Sequence, residues 1–217
     1  MIVTRTPLRI PLGGGGTDLP SFYGTYGGDL VTAAIDKYVW ITVNRRFESD
    51  IRVSYSKTEI VDEVDDIEHP IVRESLRLLG LGSGLEIVSV ADIPANTGLG
   101  SSSSFTVGLL HALHTYKREA VSAQQLAEEA FQVEHDILGE PVGKQDQYAA
   151  TFGGFNFMEF RMDQNVVHPL RINPDTLLEL EESLILCDTG TVHDSGDIHE
   201  DQRHEMHQEL QFDQLNE

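Results

Sequence analysis

"IPANTGLGSSSSFTVGLL", residues 93–110, is the stretch on which the fold turns. Pro94, Gly98 and Gly100 lead into four consecutive serines, 101–104, and an apolar run follows with Phe105, Val107, Leu109 and Leu110. Flexible backbone and hydroxyls at the head of a helix suit a small anion. The first-turn N–H groups have no helical partner there, and the helix dipole presents its positive end. Glycines let the chain curl until several N–H groups converge. Serine hydroxyls add donors to phosphate oxygens, or an oxygen ligand for Mg²⁺. From the residues alone the segment stays open between such a site and a plain serine-capped helix start. It carries neither the glycine-lysine-serine of a P-loop nor G-x-G-x-x-G.

Working outward, the flanking chain alternates strand and helix signals without a regular βαβ period, which predicts an α+β fold. Residues 2–12, with β-branched residues and two prolines, read as an edge strand. Residues 13–18, "GGGGTD", read as a loop, and 27–47 as one or two strands. Strands are also expected at 50–55 and 84–94, and a helix over 67–82 stopped by Gly80. The serine segment starts a helix to about Tyr116. A serine-capped helix is expected at 122–139, a short helix or turn at 142–154, and paired strands in "FNFMEF" and "VVHPLRI". "SLILCDTG" (183–190) reads as a buried strand holding an inert core Cys187, and the chain after it as a polar helix.

The 217 residues suffice for one full core, or for one domain and the start of another. The net charge of −21 argues against a nucleic-acid backbone or an anionic membrane as partner. A single cysteine fits a reducing compartment, and no apolar run reaches spanning length, so a soluble cytoplasmic protein is expected. Four histidines of the acidic tail (193, 199, 204, 207) lack the H-E-x-x-H spacing and read as solvated. The acidic run 61–68 reads as exposed surface.

"PANTGLGSSSS" (94–104) resembles the P-x-x-x-G-L-G-S-S-[AS]-[AS] motif of the GHMP kinases, the family of galacto-, homoserine, mevalonate and phosphomevalonate kinases. Two more blocks fit in order. "RTPLRIPLGGGGTDLP" (5–20) resembles the N-terminal sugar-kinase block, and "EHDILGEPVGKQDQYAA" (134–150) the block ending in G-x-x-D-Q. Within the family, "AIDKYVW", "EHPIVRESL" and "GKQDQYAA" are most similar to the heptose 7-phosphate kinase branch. The resemblance spans roughly residues 1–200. It implies an N-terminal domain like domain 2 of ribosomal protein S5, over 1–180, and the start of a C-terminal ferredoxin-like domain at 181–217. The third glycine-rich block of the family does not occur, so the chain reads as cut short.

The implied activity is ATP- and Mg²⁺-dependent phosphorylation of the anomeric hydroxyl of a heptose 7-phosphate. Partners would be the sugar phosphate and ATP, with a homodimer possible. A fucose- or galactose-like substrate, or a non-catalytic fragment, are the competing readings. Asp146 matches the family's catalytic aspartate, which orients the acceptor hydroxyl and takes its proton; the bland alternative is a helix cap. Arg9 would stabilise the oxyanion, and it keeps the galactokinase spacing of nine positions to Asp18. Arg5 reads as a structural ion pair. Gly98, Leu99, Gly100, Ser101, Ser102, Ser103 and Ser104 would cradle the phosphates. Glu134, with Ser102, would hold the metal, although its neighbourhood could equally be a solvated acidic face. Asp18 and Thr17 would meet the sugar, the alternative for Asp18 being a turn aspartate. Gly15 and Gly16 stand where galactokinases carry glutamate and histidine, which leaves room for a larger sugar.

Overall fold

The computed structural model describes residues 1–95 and 97–187. A seven-stranded sheet forms its frame, in the order β4-β3-β5-β2-β6-β7 with β1 paired to β2. Strand β2 (Gly28–Arg45) is its spine. It pairs antiparallel with β1 (Ile2–Gly13), with β5 (Leu85–Ala91) through residues 39–45, and with β6 (Phe155–Phe160) through residues 28–33. Strands β3 (Ile51–Ser54) and β4 (Thr58–Val61) extend one end, and β7 (Asn165–Pro169) the other. Among the described strands only β3 and β5 run parallel. The expected α+β class is thus the observed one.

The strands alternate. Val39, Ile41 and Val43 of β2 are buried with Leu85 and Ile87 of β5, as a period of two requires when one face meets a core. Helices α2 (Pro70–Leu78), α3 (Ser101–Lys117) and α4 (Ala123–Phe131) supply the other half of that core through Val72, Leu76, Leu109, Leu110, Leu113 and Leu126. Helix α3 is central and apolar on most sides. It lies so close to β1 that a side chain in place of Gly108 would meet Thr6 Oγ1 at 2.6 Å. A second cluster, with Tyr148, Met158 and Phe160, seats α5 (Gln145–Phe152) near β6.

Several expectations are corrected. Residues 122–139 are not one α-helix: α4 ends at Phe131, and a π-helical turn follows over Gln132–Ile137. Helices α1 (Pro20–Tyr26) and α6 (Pro174–Ser183) and strand β4 carry no strong apolar period, and sequence patterning passed over them. No buried strand occurs over the described part of 183–190. Residues 184–187 form neither strand nor helix, and Leu184, Ile185, Leu186 and Cys187 are exposed because no described element covers them. Cys187 is therefore not a core thiol. Among the described residues Arg5 forms no ion pair; its guanidinium lies 4.5 Å from the Tyr38 ring centroid on the open face of the sheet. The expected polar helix, the tail histidines and most of the second domain fall outside the described residues. Among the described residues no helix is long and apolar enough to cross a membrane.

Candidate active site

The head of α3 gathers the site. Gly100 caps the helix with φ 75° and ψ 28°, left-handed backbone that only glycine adopts without strain. Among the described residues no side chain caps this end, so the N–H groups of Ser101, Ser102 and Ser103 remain in a first turn with no preceding helical carbonyl. Ser104 is different: its N–H donates to Gly100 O at 2.9 Å and its hydroxyl to Pro7 O at 2.8 Å. The expectation that Ser104 grips a phosphate is corrected accordingly. It ties α3 to β1 instead. Ser103 is buried too, and its hydroxyl donates to Glu134 Oε2 at 2.8 Å. Only its backbone can face a ligand.

Strand β1 reaches the same place. A register shift between Pro7 and Arg9 interrupts its pairing with β2, and the Arg9 N–H donates to Leu99 O at 3.1 Å. The Arg9 side chain, 9 % exposed, donates from Nη1 to Gly98 O at 2.8 Å. Its Nε and Nη2 lie 2.6 and 2.5 Å from Asp146 Oδ1. Asp146 sits in the first turn of α5, where a carboxylate suits the helix dipole, and its side chain is 25 % exposed. Its other oxygen faces Gly100: a side chain there would stand 3.3 Å from Asp146 Oδ2. Arg9, Asp146 and the glycine-serine segment therefore form one cluster, from parts of the chain up to 137 residues apart.

Asp18 is turned inward. Its Oδ2 accepts from Gln145 N at 2.9 Å and its Oδ1 from Gly16 N at 3.1 Å, so it caps α5 and closes the 13–18 loop. Burial pushes its pKa up, opposed by the Gln145 N–H, while the nearby Asp146 charge raises it further. Thr17 is likewise spent on the loop, its hydroxyl donating to Gly14 O at 2.7 Å. These two side chains were expected to meet a sugar; glycine-rich backbone has polar groups that need partners, and Asp18 and Thr17 supply them. Gly15 is exposed, with open space where its side chain would be.

Glu134 is the most enclosed member, only 2 % exposed, and so not the solvated face its acidic neighbourhood allowed. The π-helical turn carries both Val133 and Glu134 inward; such turns recur at functional positions. The hydroxyls of Ser102 and Thr106 donate to Oε1 at 2.8 and 3.0 Å. Ser103 and the Gln147 amide, the latter at 2.6 Å, donate to Oε2. All four donors are neutral, and no basic side chain among the described residues pairs with it. Burial pushes its pKa up, against those four hydrogen bonds. Ser102 is exposed, whereas Glu134 is sealed with both oxygens accepting from protein donors, so of the two expected metal ligands only the Ser102 oxygen is placed to meet Mg²⁺, which takes one or two protein oxygens besides phosphates.

Sequence reasoning missed the supports. Thr106 shares a helix face with Ser102 four residues earlier, a legible spacing. Gln147 and Gln145 flank Asp146 in plain view but gave no sign of what they hold. A cavity of about 310 Å³ lined by Tyr23, Phe131, Glu128 and Lys144 lies apart from this cluster; neither Arg9, Asp18, Asp146, Ser102 nor Glu134 lines it.

Comparison with known proteins matches residues 66–154 to the N-terminal domain of GHMP kinases. A curated relative, the D-glycero-alpha-D-manno-heptose 7-phosphate kinase of Campylobacter jejuni, is 33 % identical over 99 % of this chain and 67 % of its own length. The chain belongs to the GHMP kinase family. A solved D-glycero-D-manno-heptose 1-phosphate kinase from Bacteroides thetaiotaomicron superposes with a TM-score of 0.77 at 30 % identity, over 83 % of this chain and 63 % of that one. The galactokinase of Pyrococcus furiosus is 27 % identical over 70 % of this chain and 44 % of its own. The chain thus spans about two thirds of its heptose-kinase relatives and under half of that galactokinase.

Proposed function

We propose that this chain is the nucleotide- and sugar-binding part of an ATP-dependent kinase that phosphorylates the anomeric hydroxyl of a heptose 7-phosphate. Its N-terminal domain would run to about residue 180. One observation carries the reading: Asp146 is held through Oδ1 by Arg9, while Oδ2 is left toward Gly100 at the anion-binding head of α3.

The N–H groups of Ser101, Ser102 and Ser103 orient the phosphates of ATP. Ser102 Oγ, steadied by Glu134, is the protein atom that would hold Mg²⁺, and bound Mg²⁺ supplies charge neutralisation across the phosphates. The acceptor hydroxyl approaches Asp146 Oδ2. Its proton passes to that oxygen as the sugar oxygen bonds to the γ-phosphorus and ADP departs. Arg9 holds Asp146 through Oδ1 and lends positive charge near the attacking oxygen. Positioning and electrostatics do the work, as in phosphoryl transfer generally. Open space at Gly15, where galactokinases carry a side chain, leaves room for the two extra groups of a heptose phosphate.

The heptose specificity is supported by the Campylobacter jejuni and Bacteroides thetaiotaomicron relatives. ATP consumption measured across heptose 7-phosphate, galactose and fucose tests it, with heptose 7-phosphate expected to be turned over fastest. Calorimetry with ATP-Mg²⁺ checks the fragment alternative: no binding by this chain would favour it.

A further inference from the structure

Asp146 has two carboxylate oxygens, and the fold treats them unequally. Oδ1 accepts from Arg9 Nε at 2.6 Å, lies 2.5 Å from Arg9 Nη2, and accepts from Gln145 Nε2 at 3.3 Å. Oδ2 receives no donor among the described residues. An arginine beside a carboxylate commonly spreads its two-pronged edge over both oxygens. Arg9 does not.

Gln145 is the second holder of Oδ1, and it is 8 % exposed. Its backbone N–H donates to Asp18 Oδ2 at 2.9 Å, so one residue links both carboxylates of the cleft. Its Oε1 is buried with no donor. Turning the amide over would set Oε1 against Asp146 Oδ1, acceptor to acceptor. The fold instead keeps an orphan carbonyl in its interior, which is uncommon, and gains the contact on Oδ1.

We propose that Gln145 is a positioning residue for phosphoryl transfer. Its amide shares Oδ1 with Arg9 and so anchors the carboxylate in the rotation that turns Oδ2, the oxygen that takes the proton, toward Gly100. The inference rests on the kinase reading for its consequence, but not for its geometry.

Gln145→Met in the full chain tests it, since methionine keeps the length and loses both the donor and the orphan acceptor. The expected result is a kcat about 10- to 100-fold lower, with KM for ATP and sugar phosphate within about twofold. The thermal midpoint should be unchanged or slightly raised, because the unpaired carbonyl is gone. A crystal structure of the variant should show Arg9 bridging both oxygens of Asp146. An unchanged kcat, a rise in KM alone, or Arg9 still confined to Oδ1 would each overturn the proposal. Gln145→Leu carries the same three readouts if the methionine variant does not fold. Wild-type protein that binds ATP but transfers no phosphate would undo the kinase reading, while the place of Arg9 in the variant still decides the role of Gln145.

Discussion

Two carboxylates lie against the first turn of α3, and they are held in opposite ways. Asp146 is partly exposed, shares one oxygen with a guanidinium and leaves the other without a donor among the described residues. Glu134 is buried, and four neutral donors take both its oxygens. A group that exchanges a proton needs an unspent oxygen and access to the reactant. A group that holds geometry needs saturation. The chain thus separates chemistry from scaffolding by the partners it gives two similar side chains. Their charges are also settled differently, since Asp146 is balanced inside the fold and Glu134 is not.

The contrast can be broken most directly at Asp146. Asp146→Asn should lower kcat by about 10³-fold, within the range of general-base catalysis, with little change in thermal midpoint. Turnover within tenfold of wild type would erase the division of roles. Glu134→Ala should do the reverse and cost stability first, on the order of 3 kcal/mol by urea unfolding, because it strands the buried donors of Ser103 and Gln147.

Asp18 sharpens the comparison, as it sits with the scaffold by geometry. A side chain at Gly143 would meet Asp18 Oδ2 at 2.0 Å. Gly143→Ala should therefore destabilise the fold by about 1–3 kcal/mol, read by the same unfolding curves. A rise in KM for the sugar without loss of stability would move Asp18 to the chemical side.

The pH dependence of stability groups Asp18 with Glu134. Glu134 and Asp18 have folded pKa values raised above their unfolded ones by burial. Their contribution is complete below the ordinary carboxylate range and is lost as pH rises through the raised values. Stability should thus decline from about pH 4.5 upward on their account, and Glu134→Gln should flatten that decline in a denaturant series across pH. The smallest effect is expected far from the site. Lys57→Ala removes an exposed ion pair with Glu68, and neither turnover nor unfolding midpoint should move measurably.

Much of the frame was legible because its signals are short-range. The breakers before Ser101, the Ser122 cap and the alternation of β2, β3 and β5 each lie within a few residues. The elements that escaped are those with little periodic burial, such as α6, which has no buried residue. The apolar run 184–187 misled for a related reason: hydrophobicity announces a need for cover, and cover is supplied by other parts of the chain. Asp146, Arg9 and Glu134 were singled out through the blocks that resemble the GHMP kinases. Ser104 and Thr17 were placed at a ligand by the same reasoning and turned out to be bonded within the fold.

By itself the sequence determined where a helix had to begin, which carboxylates were available and that their surroundings were rich in glycine and hydroxyls. Only the tertiary structure decided which oxygen of Asp146 stays free, that Glu134 is sealed away, and that Asp18 faces inward. Those outcomes depend on contacts such as Arg9 with Asp146 and Ser104 with Pro7, which join residues 137 and 97 positions apart. Local preference acts over a turn or two of chain, whereas the pairing of a lone pair with its donor is chosen once the sheet and helices have closed on one another.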